Sequence, residues 1–475
     1  MSSTEEAFVR VLGRRDVIAL GFGSMIGFGW VVLAGDYLAQ AGTLGSALAF
    51  AVGGMVVGLV GLTYAELVAA MPKAGGEHHY ALRALGTRWA FVASWAVLLG
   101  YVSVVAFEAV ALPETVSYLL PGTSTAALST SPLWTMAGSA VYPSWVLVGV
   151  GGAVAITAVN YVGIRPATVI QALAVLFLLG IGALLVVGSV LGGSWSHAEP
   201  LFTGGATGVL GVVVATPFLF VGFDVIPQSA EEIKLPYRQI GRVLVLSVLL
   251  AAAWYVLVQL TVGTALSGGA LQASELDTAA AMTAVYHSEL MGQVLVLGGI
   301  AGILTSWNGL LIGASRLLYA MGTSGMLPSW FARLHPRHRT PSNAVLFVGA
   351  ISVLAPLFGD RMLTWLSNAG ATNIAVGYLL VAVSFLVLRR REPELARPYR
   401  VRAARTVGVL AAVLSSALIV VCLPGMPAAL AWPHEWLIMI VFWTVGVVFL
   451  TRVPRVPAGP EAENQLAEAL DARRT

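Results

Sequence analysis

Long apolar runs, separated by short polar segments, recur along the whole 475-residue chain. A helix needs roughly 20 apolar residues to cross the hydrocarbon core of a bilayer, and these runs are about that long or longer. They predict twelve membrane spans, at 17–40, 43–71, 88–120, 140–160, 163–192, 207–229, 239–267, 283–322, 342–358, 362–389, 406–423 and 435–452. The pattern therefore predicts an all-α integral membrane protein.

Composition agrees with this prediction. The chain is 58% hydrophobic and 10% charged, whereas soluble domains carry about 25% charged residues. Its one cysteine, Cys422, allows no intrachain disulfide, and His and Cys residues show no metal-ligand spacing. Glu77, His78 and His79 fall between two spans and are expected in a solvated loop. The sequence predicts no cofactor beyond a coupling ion.

The basic residues are distributed unevenly between the loops. Lys and Arg lie before the first span, in alternate loops and after the last span, while the opposite loops carry almost none. The positive-inside rule then places both termini in the cytoplasm and the protein in the cytoplasmic membrane. The net charge of +3 is a signal of topology, so nucleic acid is not expected as a partner.

Glycines interrupt two of the predicted spans at corresponding places, Gly21–Gly29 and Phe218–Pro227. An unwound helix exposes backbone groups that lipid does not satisfy, so an interruption must face protein or a water-filled cavity. Paired interruptions in two halves of a chain are typical of the binding site of a secondary transporter. The alternative is that the glycines only allow helices to pack closely.

The interruptions fall in the first and sixth spans, which predicts two inverted sets of five helices plus two extra helices. We therefore expect a cytoplasmic tail at 1–16 and a ten-helix transport core at 17–404. Helices 11 and 12 follow at 405–452, and a second cytoplasmic tail occupies 453–475. The sequence carries no signal for an oligomeric state.

Several ordered motifs resemble those of the amino acid–polyamine–organocation superfamily of permeases, in its bacterial amino acid permease type. The resemblance covers the chain from end to end and implies a LeuT-like fold with broken helices 1 and 6, and alternating-access transport of amino acids, amines or related organic cations. The motifs are Gly23–Gly29, Tyr64–Leu67 with Met71–Glu77, Gly222–Asp224 with Ala230–Pro236, Ser315–Pro328 and Leu388–Arg400.

The first interruption offers two kinds of backbone group to a substrate. The N–H groups of Gly27, Phe28 and Gly29 begin the outer half-helix, where the helix dipole favours a carboxylate. The carbonyls of Met25 and Ile26 end the inner half and favour an ammonium group or a small cation. The family usually has a small or hydroxyl residue at the position of Phe28, so a phenyl ring there would shrink the cavity or shift the carboxylate.

The second interruption supplies the opposite surface, formed by Phe218, Val221, Gly222, Phe223 and Asp224. The resemblance implies that Phe218 is an aromatic gate over the substrate. It also implies that the carbonyls of Phe218 and Val221 accept hydrogen bonds from an amine.

Asp224 is a carboxylate at mid-depth, where a charge is costly and usually functional. It has three interpretations. Asp224 titrates as a proton-coupling group, pairs with a substrate ammonium, or accepts hydrogen bonds from the backbone of the interruption.

Coupling to a cation has its own candidate residues. In sodium-coupled relatives, hydroxyls of helix 8 and carbonyls of broken helix 1 bind Na⁺, which implies Thr305 and Ser306 opposite the carbonyls of Gly23 and Ile26. Oxygen-only ligation suits a hard cation. Hydroxyls in membrane helices also bind their own backbone carbonyls, which leaves a purely structural role open.

Some family members carry a lysine in helix 5 at the place of that sodium. The matching position here is near Leu178, and 167–190 contains no lysine. Its absence favours sodium coupling or protonation of Asp224. Elsewhere, Glu108 lines the pathway or pairs with a hydroxyl, and Arg316 requires an acidic partner or snorkelling.

The sequence thus predicts a secondary transporter of a small amino acid, coupled to Na⁺ or H⁺ as a symporter. The alternative is a carrier or exchanger of an amine that lacks a carboxylate, with Asp224 as its counter-ion. A membrane enzyme is disfavoured because no cluster of catalytic residues or nucleophile motif is present.

Overall fold

The computed structural model describes residues 8–27, 29–119, 131–136, 138–272, 274, 276–426 and 429–472. The chain folds into packed α-helices and one short hairpin, whose strands β1 (Trp134–Met136) and β2 (Ser139–Val141) are antiparallel. Phe28, part of the predicted substrate site, lies outside the described residues.

The helices follow one another in this order: α1 (Arg14–Met25), α2 (Gly29–Val32), α3 (Ala34–Ala41), α4 (Thr43–Ala70), α5 (Glu77–Leu85), α6 (Thr87–Leu119), α7 (Pro143–Val162), α8 (Ile164–Gly192), α9 (Gly205–Leu219), α10 (Val225–Gln228), α11 (Tyr237–Ala265), α12 (Gly268–Gln272), α13 (Asp277–Tyr286), α14 (Glu289–Thr323), α15 (Ser342–Leu354), α16 (Met362–Arg391), α17 (Ala404–Val421), α18 (His434–Leu450) and α19 (Ala462–Asp471). Two 3₁₀ turns, Ala230–Glu232 and Ala355–Phe358, extend α10 and α15.

Eight helices of the described chain are long and apolar enough to cross a membrane. They are α4, α6, α7, α8, α11, α14, α16 and α17, and each matches a predicted span. The predicted spans 342–358 and 435–452 correspond to the shorter apolar helices α15 and α18, and the predicted span 207–229 is divided between the short apolar helix α9 and α10. The predicted span 17–40 is divided among α1, α2 and α3. The all-α membrane architecture is thus confirmed.

Burial separates central helices from peripheral ones. In the most apolar 18-residue stretch of each helix, 94% of the residues of α6 are buried inside the bundle. Only 22% are buried in the corresponding stretches of α7 and α17. α6 packs against α14 and α16, and α4 packs along α11. Gly54 permits this second contact, since a Cβ there would lie 2.6 Å from the Ala252 Cβ. The exposed apolar faces of α7 and α17 suit contact with lipid.

Both tails pack at the same end of the bundle, which we call the tail end. Leu12 forms a parallel β-bridge with Ile233, just after α10. The Leu12 N–H donates to the Glu232 carbonyl at 2.9 Å, and the Lys234 N–H donates to the Leu12 carbonyl at 2.9 Å. The segment before α1 is therefore tied to the segment after α10.

A buried ion pair lies beside this bridge. The Arg316 guanidinium donates from Nε at 3.1 Å and from Nη2 at 3.0 Å to the two oxygens of Glu232. The two side chains are 1% and 3% exposed. Glu232 is thus the acidic partner that Arg316 requires, and the pair fastens α14 to the end of the second interrupted helix.

The C-terminal tail also contributes to the tail end, through α19. The Glu463 carboxylate accepts hydrogen bonds from Lys73 and, at 2.9 Å, from Nδ1 of His79. Burial alone would raise the pKa of Glu463, but His79 and Lys73 outweigh it and lower that pKa to about 2. Leu466 of α19 is buried as well. α19 is therefore docked on α5.

The expectation of a solvated loop at 77–79 is wrong. Glu77 and His78 begin α5, and both side chains are 0% exposed. α5 packs against α6, α14, α16 and α19. Glu77 and His78 are buried here because each meets a distant polar partner, Gln228 for Glu77 and Ser94 for His78, that the local sequence does not reveal.

We expect the Arg316→Leu substitution to destabilise the fold strongly. It leaves the Glu232 carboxylate buried without its cation, which costs about 3–5 kcal/mol for such pairs. Thermal melting in detergent measures the effect as a large fall in the apparent melting temperature. Arg333→Leu, an exposed arginine between α14 and α15, is the control and should melt like the parent.

The double variant Arg316→Leu/Glu232→Leu should recover most of the loss, because it removes the unpaired charge as well. Equal melting of all three variants and the parent protein would contradict a stabilising role for this pair.

Candidate functional site

The first interruption separates α1 from α2. α1 ends at Met25, and the Ile26 N–H donates to the Gly23 carbonyl at 3.2 Å instead of continuing the helix. The carbonyls of Met25 and Ile26 are released from helical bonding and accept from side chains of other helices. The predicted break is therefore present at the predicted glycines.

The second interruption separates α9 from α10, which end and begin at Leu219 and Val225. Gly222 has φ +130°, a conformation that residues with a Cβ rarely adopt. Its N–H donates to Oδ1 of Asp224 at 3.0 Å. One carboxylate oxygen thus stabilises the turn, as the structural interpretation of Asp224 expects.

The two interruptions are in direct contact. A Cβ on Gly222 would lie 2.6 Å from the Ser24 carbonyl carbon, and one on Gly29 would lie 2.5 Å from a methyl group of Leu219. Both glycines therefore allow the two interrupted helices to approach each other closely, in addition to any role in exposing backbone groups. Because a missing side chain both exposes the backbone and permits close packing, the binding-site interpretation and the packing interpretation of the glycines are compatible.

One hydroxyl joins the two interruptions. The Tyr255 hydroxyl of α11 lies 2.9 Å from the Met25 carbonyl and 3.2 Å from the Leu219 carbonyl. The Tyr255 side chain is 1% exposed and stacks on the Phe50 ring, at 5.0 Å between centroids. The Met25 carbonyl, predicted to face a substrate, is thus bound by a protein side chain in this conformation.

The first interruption also faces α6 and α14. A Cβ on Gly27 would lie 2.2 Å from a carboxylate oxygen of Glu108 and 3.1 Å from Oγ of Ser306. Glu108 is 2% exposed. A buried carboxylate and a hydroxyl therefore lie directly against the backbone that the sequence predicts as the carboxylate-binding and cation-binding surface.

The predicted cation-coupling residues are partly brought together. The Thr305 hydroxyl lies 3.4 Å from the Ile26 carbonyl and 2.9 Å from the Gly302 carbonyl of its own helix. A Cβ on Gly23 would lie 3.2 Å from that of Thr305. Thr305 thus makes both the contact expected of a cation ligand and the contact expected of a structural hydroxyl.

The aromatic residues of the second interruption point in different directions. The ring of Phe218 meets that of Phe107 edge-on at 5.6 Å and is only half-buried. The Phe223 ring is fully buried and packs against the rings of Tyr64 and Tyr378, at 5.4 Å from each. Val221 is also buried, and its N–H donates to the Phe218 carbonyl at 3.4 Å.

Sequence reasoning missed Tyr255 and the contact of Glu108 with Gly27. Tyr255 lies in the middle of an apolar span, and a single hydroxyl there forms no motif. The contact between Glu108 and Gly27 depends on how α6 crosses α1, which periodicity does not reveal. Both become visible only when the helices are assembled.

Comparison with known proteins agrees with this architecture. The family model described as amino acid permease matches residues 12–449. A branched-chain amino acid permease of Bacillus subtilis is 26% identical over 405 residues, covering 84% of this chain and 85% of the relative. A methylthioribose transporter of the same organism is 26% identical over 454 residues, which is 94% of each chain. Cationic amino acid transporter 4 of Mus musculus is 29% identical over 82% of this chain and 61% of its own.

The apolar helices, two of which are interrupted where they touch, define a helical membrane protein. The matches to permeases and transporters over most of the chain define it as a permease. The chain belongs to the amino acid permease family, within the amino acid–polyamine–organocation superfamily.

We expect Tyr255→Phe to weaken the junction between the interruptions. It removes one O–H donor that two buried carbonyls share, a loss of about 1–3 kcal/mol, and should lower the apparent melting temperature and slow uptake. Tyr286→Phe is the matched control, because its hydroxyl also binds a backbone carbonyl, that of Leu184 at 2.8 Å, but at an exposed position. Equal effects of the two variants would show that the bridge has no special role.

Proposed function

We propose that the chain is a secondary transporter that moves a small amino acid across the cytoplasmic membrane by alternating access, in symport with Na⁺ or H⁺. The proposal includes a LeuT-like arrangement of twelve membrane helices, in which helices 1–10 form two inverted repeats. It places both termini in the cytoplasm. The observation that carries it is the contact between two interrupted helices, each with released backbone groups, inside an otherwise apolar bundle.

The chemistry of the junction supports an amino acid as substrate. Backbone N–H groups at the start of a half-helix attract a carboxylate, and carbonyls at the end of the other half attract an ammonium group. Relatives that cover more than 80% of this chain are named as branched-chain and cationic amino acid transporters. The predicted binding surface is Met25, Ile26, Gly27, Phe28, Gly29, Phe218, Val221, Gly222, Phe223 and Asp224.

Alternating access requires one end of the bundle to be closed while the other opens. At the tail end, the Leu12–Ile233 bridge and the Glu232–Arg316 pair hold neighbouring segments together. The bridge connects the segment before α1 to the segment after α10, and the ion pair connects the 3₁₀ turn after α10 to α14. Opening the tail end would therefore break contacts that hold α1 and α10 in place.

A carrier of an amine without a carboxylate is the second candidate. It is favoured by the second oxygen of Asp224, which is buried, faces the Tyr101 hydroxyl and has no cationic partner within the described residues. Such a carboxylate would serve as counter-ion for a substrate cation. The methylthioribose transporter among the relatives also indicates that this architecture accommodates a substrate other than an amino acid.

Uptake into proteoliposomes tests the function directly. We expect a radiolabelled small neutral amino acid to accumulate when a Na⁺ or H⁺ gradient is imposed, and a simple amine not to compete. Accumulation of the amine alone would select the second candidate. Absence of uptake and exchange for both classes would overturn the proposed function.

Asp224→Asn separates the charge of this residue from its structural contact. The amide oxygen still accepts from the Gly222 N–H, so the turn is preserved while the carboxylate is lost. We expect binding of substrate, measured by thermal shift, to persist and uptake driven by the cation gradient to fall at least tenfold. Normal uptake with an unchanged pH profile would leave Asp224 with the structural role alone.

The double variant Thr305→Ala/Ser306→Ala tests sodium coupling. If these hydroxyls bind Na⁺ with the carbonyls of Gly23 and Ile26, the concentration of Na⁺ needed for half-maximal uptake should rise about tenfold or more. Thr323→Ala is the matched control, because Thr323 lies in the same helix and binds its own backbone at 3.0 Å. An unaltered dependence of uptake on Na⁺ concentration in the double variant would show that Thr305 and Ser306 are not Na⁺ ligands.

A further inference from the structure

Four buried tyrosines surround the tail-end side of the second interruption. The rings of Tyr80, Tyr378 and Phe223 lie 6.3, 6.1 and 5.4 Å from that of Tyr64. Each tyrosine is at most 1% exposed. The hydroxyls of Tyr64, Tyr80 and Tyr378 make no hydrogen bond within the described residues, whereas the Tyr101 hydroxyl faces the Asp224 carboxylate as a donor. We call this group the tyrosine cage; its members are Tyr64 of α4, Tyr80 of α5, Tyr101 of α6 and Tyr378 of α16.

Two carboxylates, both 0% exposed, belong to the same region: Glu77 at the start of α5 and Asp224 in the second interruption. Glu77 Oε1 accepts from Nε2 of Gln228 at 2.6 Å, and Asp224 Oδ1 accepts from the Gly222 N–H. The remaining oxygen of Glu77 is buried and makes no hydrogen bond to the described chain, and the remaining oxygen of Asp224 is buried and faces only the Tyr101 hydroxyl. Gln228 connects the two residues, because its side chain donates to Glu77 and its backbone N–H donates to the Asp224 carbonyl at 3.3 Å. The rings of Tyr64 and Tyr378 pack against Phe223, the residue before Asp224.

The cations of the neighbouring elements are engaged elsewhere. On α14 Arg316 pairs with Glu232, and on α16 Arg389 pairs with Glu66. The other ionisable groups on these elements are also bound away from the cage. They include Arg83, which pairs with Glu392 at 2.6 Å, His78, whose ring lies 3.3 Å from the Ser94 hydroxyl, Glu108, which lies against Gly27, Glu231, which accepts from the Ala74 N–H, Arg397, which pairs with Glu66, and His79 and Glu463, which pair with each other.

His78 is the nearest basic group in sequence, but it does not supply a positive charge. Burial, followed by the neighbouring His79, lowers the pKa of His78 to about 3, so the imidazole is neutral at physiological pH. Burial and the charge of Asp224 raise the pKa of Glu77 well above its usual range. The described part of the chain therefore provides neither carboxylate of the cage with a counter-ion.

Two buried charges without a cation would cost several kcal/mol each, so the pair must take up a proton or another cation. The cage favours a proton. Each tyrosine hydroxyl can donate one hydrogen bond and accept others. A metal ion would use only the oxygen of the hydroxyl, so its hydrogen would still need an acceptor. A proton shared through hydroxyls and ordered water uses both capacities.

We propose that Glu77 and Asp224 form a proton-binding pair inside the tyrosine cage and share one transported proton, which Glu77 releases at the tail end. This rests on the proposed function, because it assigns the coupling ion of that transporter. When the proton leaves Asp224, Glu77 takes it up through the hydroxyls and water between them. The pair therefore holds one proton until Glu77 releases it to water at the tail end, and it is recharged by a proton that enters from the opposite side. The resemblance implies that the helix-5 lysine of some family members would fall near Leu178, which is fully buried, and the pair supplies titratable groups at a different place.

The contact between Glu77 and Gln228 would connect proton release to conformational change. It joins α5 to α10, so opening the tail end would separate the two helices and expose Glu77 to water. Hydration removes the burial that favours the neutral form. The proton would then be released only in the conformation that is open at this end.

The Glu77→Gln substitution tests the pair in proteoliposomes that contain a pH-sensitive dye. The amide oxygen still accepts from Gln228, so the fold should be retained. We expect substrate-driven proton entry to fall at least tenfold, while exchange of substrate across the membrane stays within about twofold of the parent protein. The pH dependence of uptake should flatten.

Glu231→Gln is the matched control, since it removes a nearby carboxylate that lies outside the cage, and proton entry should be unchanged. Wild-type proton entry in Glu77→Gln would overturn the proposal. So would a parallel loss of entry and exchange in Glu77→Gln, because that indicates a structural role. Substrate uptake by the parent protein without proton movement would refute the proton pair and leave the proposed function standing.

Infrared difference spectra between acidic and alkaline buffer give a readout that does not depend on transport. We expect a protonated carboxyl band that Glu77→Gln and Asp224→Asn each alter and that Glu231→Gln leaves unchanged. Absence of this band in the parent protein would overturn the proposal even if substrate is transported. Its presence in a protein that transports no tested amino acid or amine would support the pair while the proposed function fails.

Discussion

The structure depends on satisfying backbone groups that two interrupted helices release inside an apolar bundle. An unpaired carbonyl or N–H group costs free energy wherever water is absent. Tyr255 binds carbonyls of both interruptions, Thr305 approaches one, and Asp224 binds the N–H of its own turn. The positions of α11 and α14 follow from this requirement, because each must bring a hydroxyl to a fixed point on α1.

Polar contacts connect the tail end to the interruptions. α10 is only one turn long, and it is held through Gln228 to α5 and through the following 3₁₀ turn to Arg316. α5 in turn carries the docked α19 through His79 and Glu463. Movement of α10 would therefore disturb a series of polar contacts that reaches the C-terminal tail. Such a series favours two discrete arrangements over gradual deformation.

Much of the helix pattern could be predicted from the sequence, because bilayer thickness fixes the length of an apolar run and glycines mark where a helix stops. The boundaries of α4 and α8 agree with their predicted spans to within a residue. What could not be predicted depends on contacts between distant segments. Glu77 and His78 look like loop residues until α6 and α10 cover them, and the hydroxyl of Tyr255 gains its role only beside Met25, 230 residues earlier.

The bridge at Tyr255 has a consequence for biosynthesis. The first interrupted helix leaves the ribosome long before its partners, since Tyr255 follows Met25 by 230 residues and Thr305 follows Ile26 by 279. During that interval the nascent segment has released carbonyls without their final partners, and insertion machinery or water must shield them. The early part of this chain is therefore expected to remain near the translocon until its second half has been inserted.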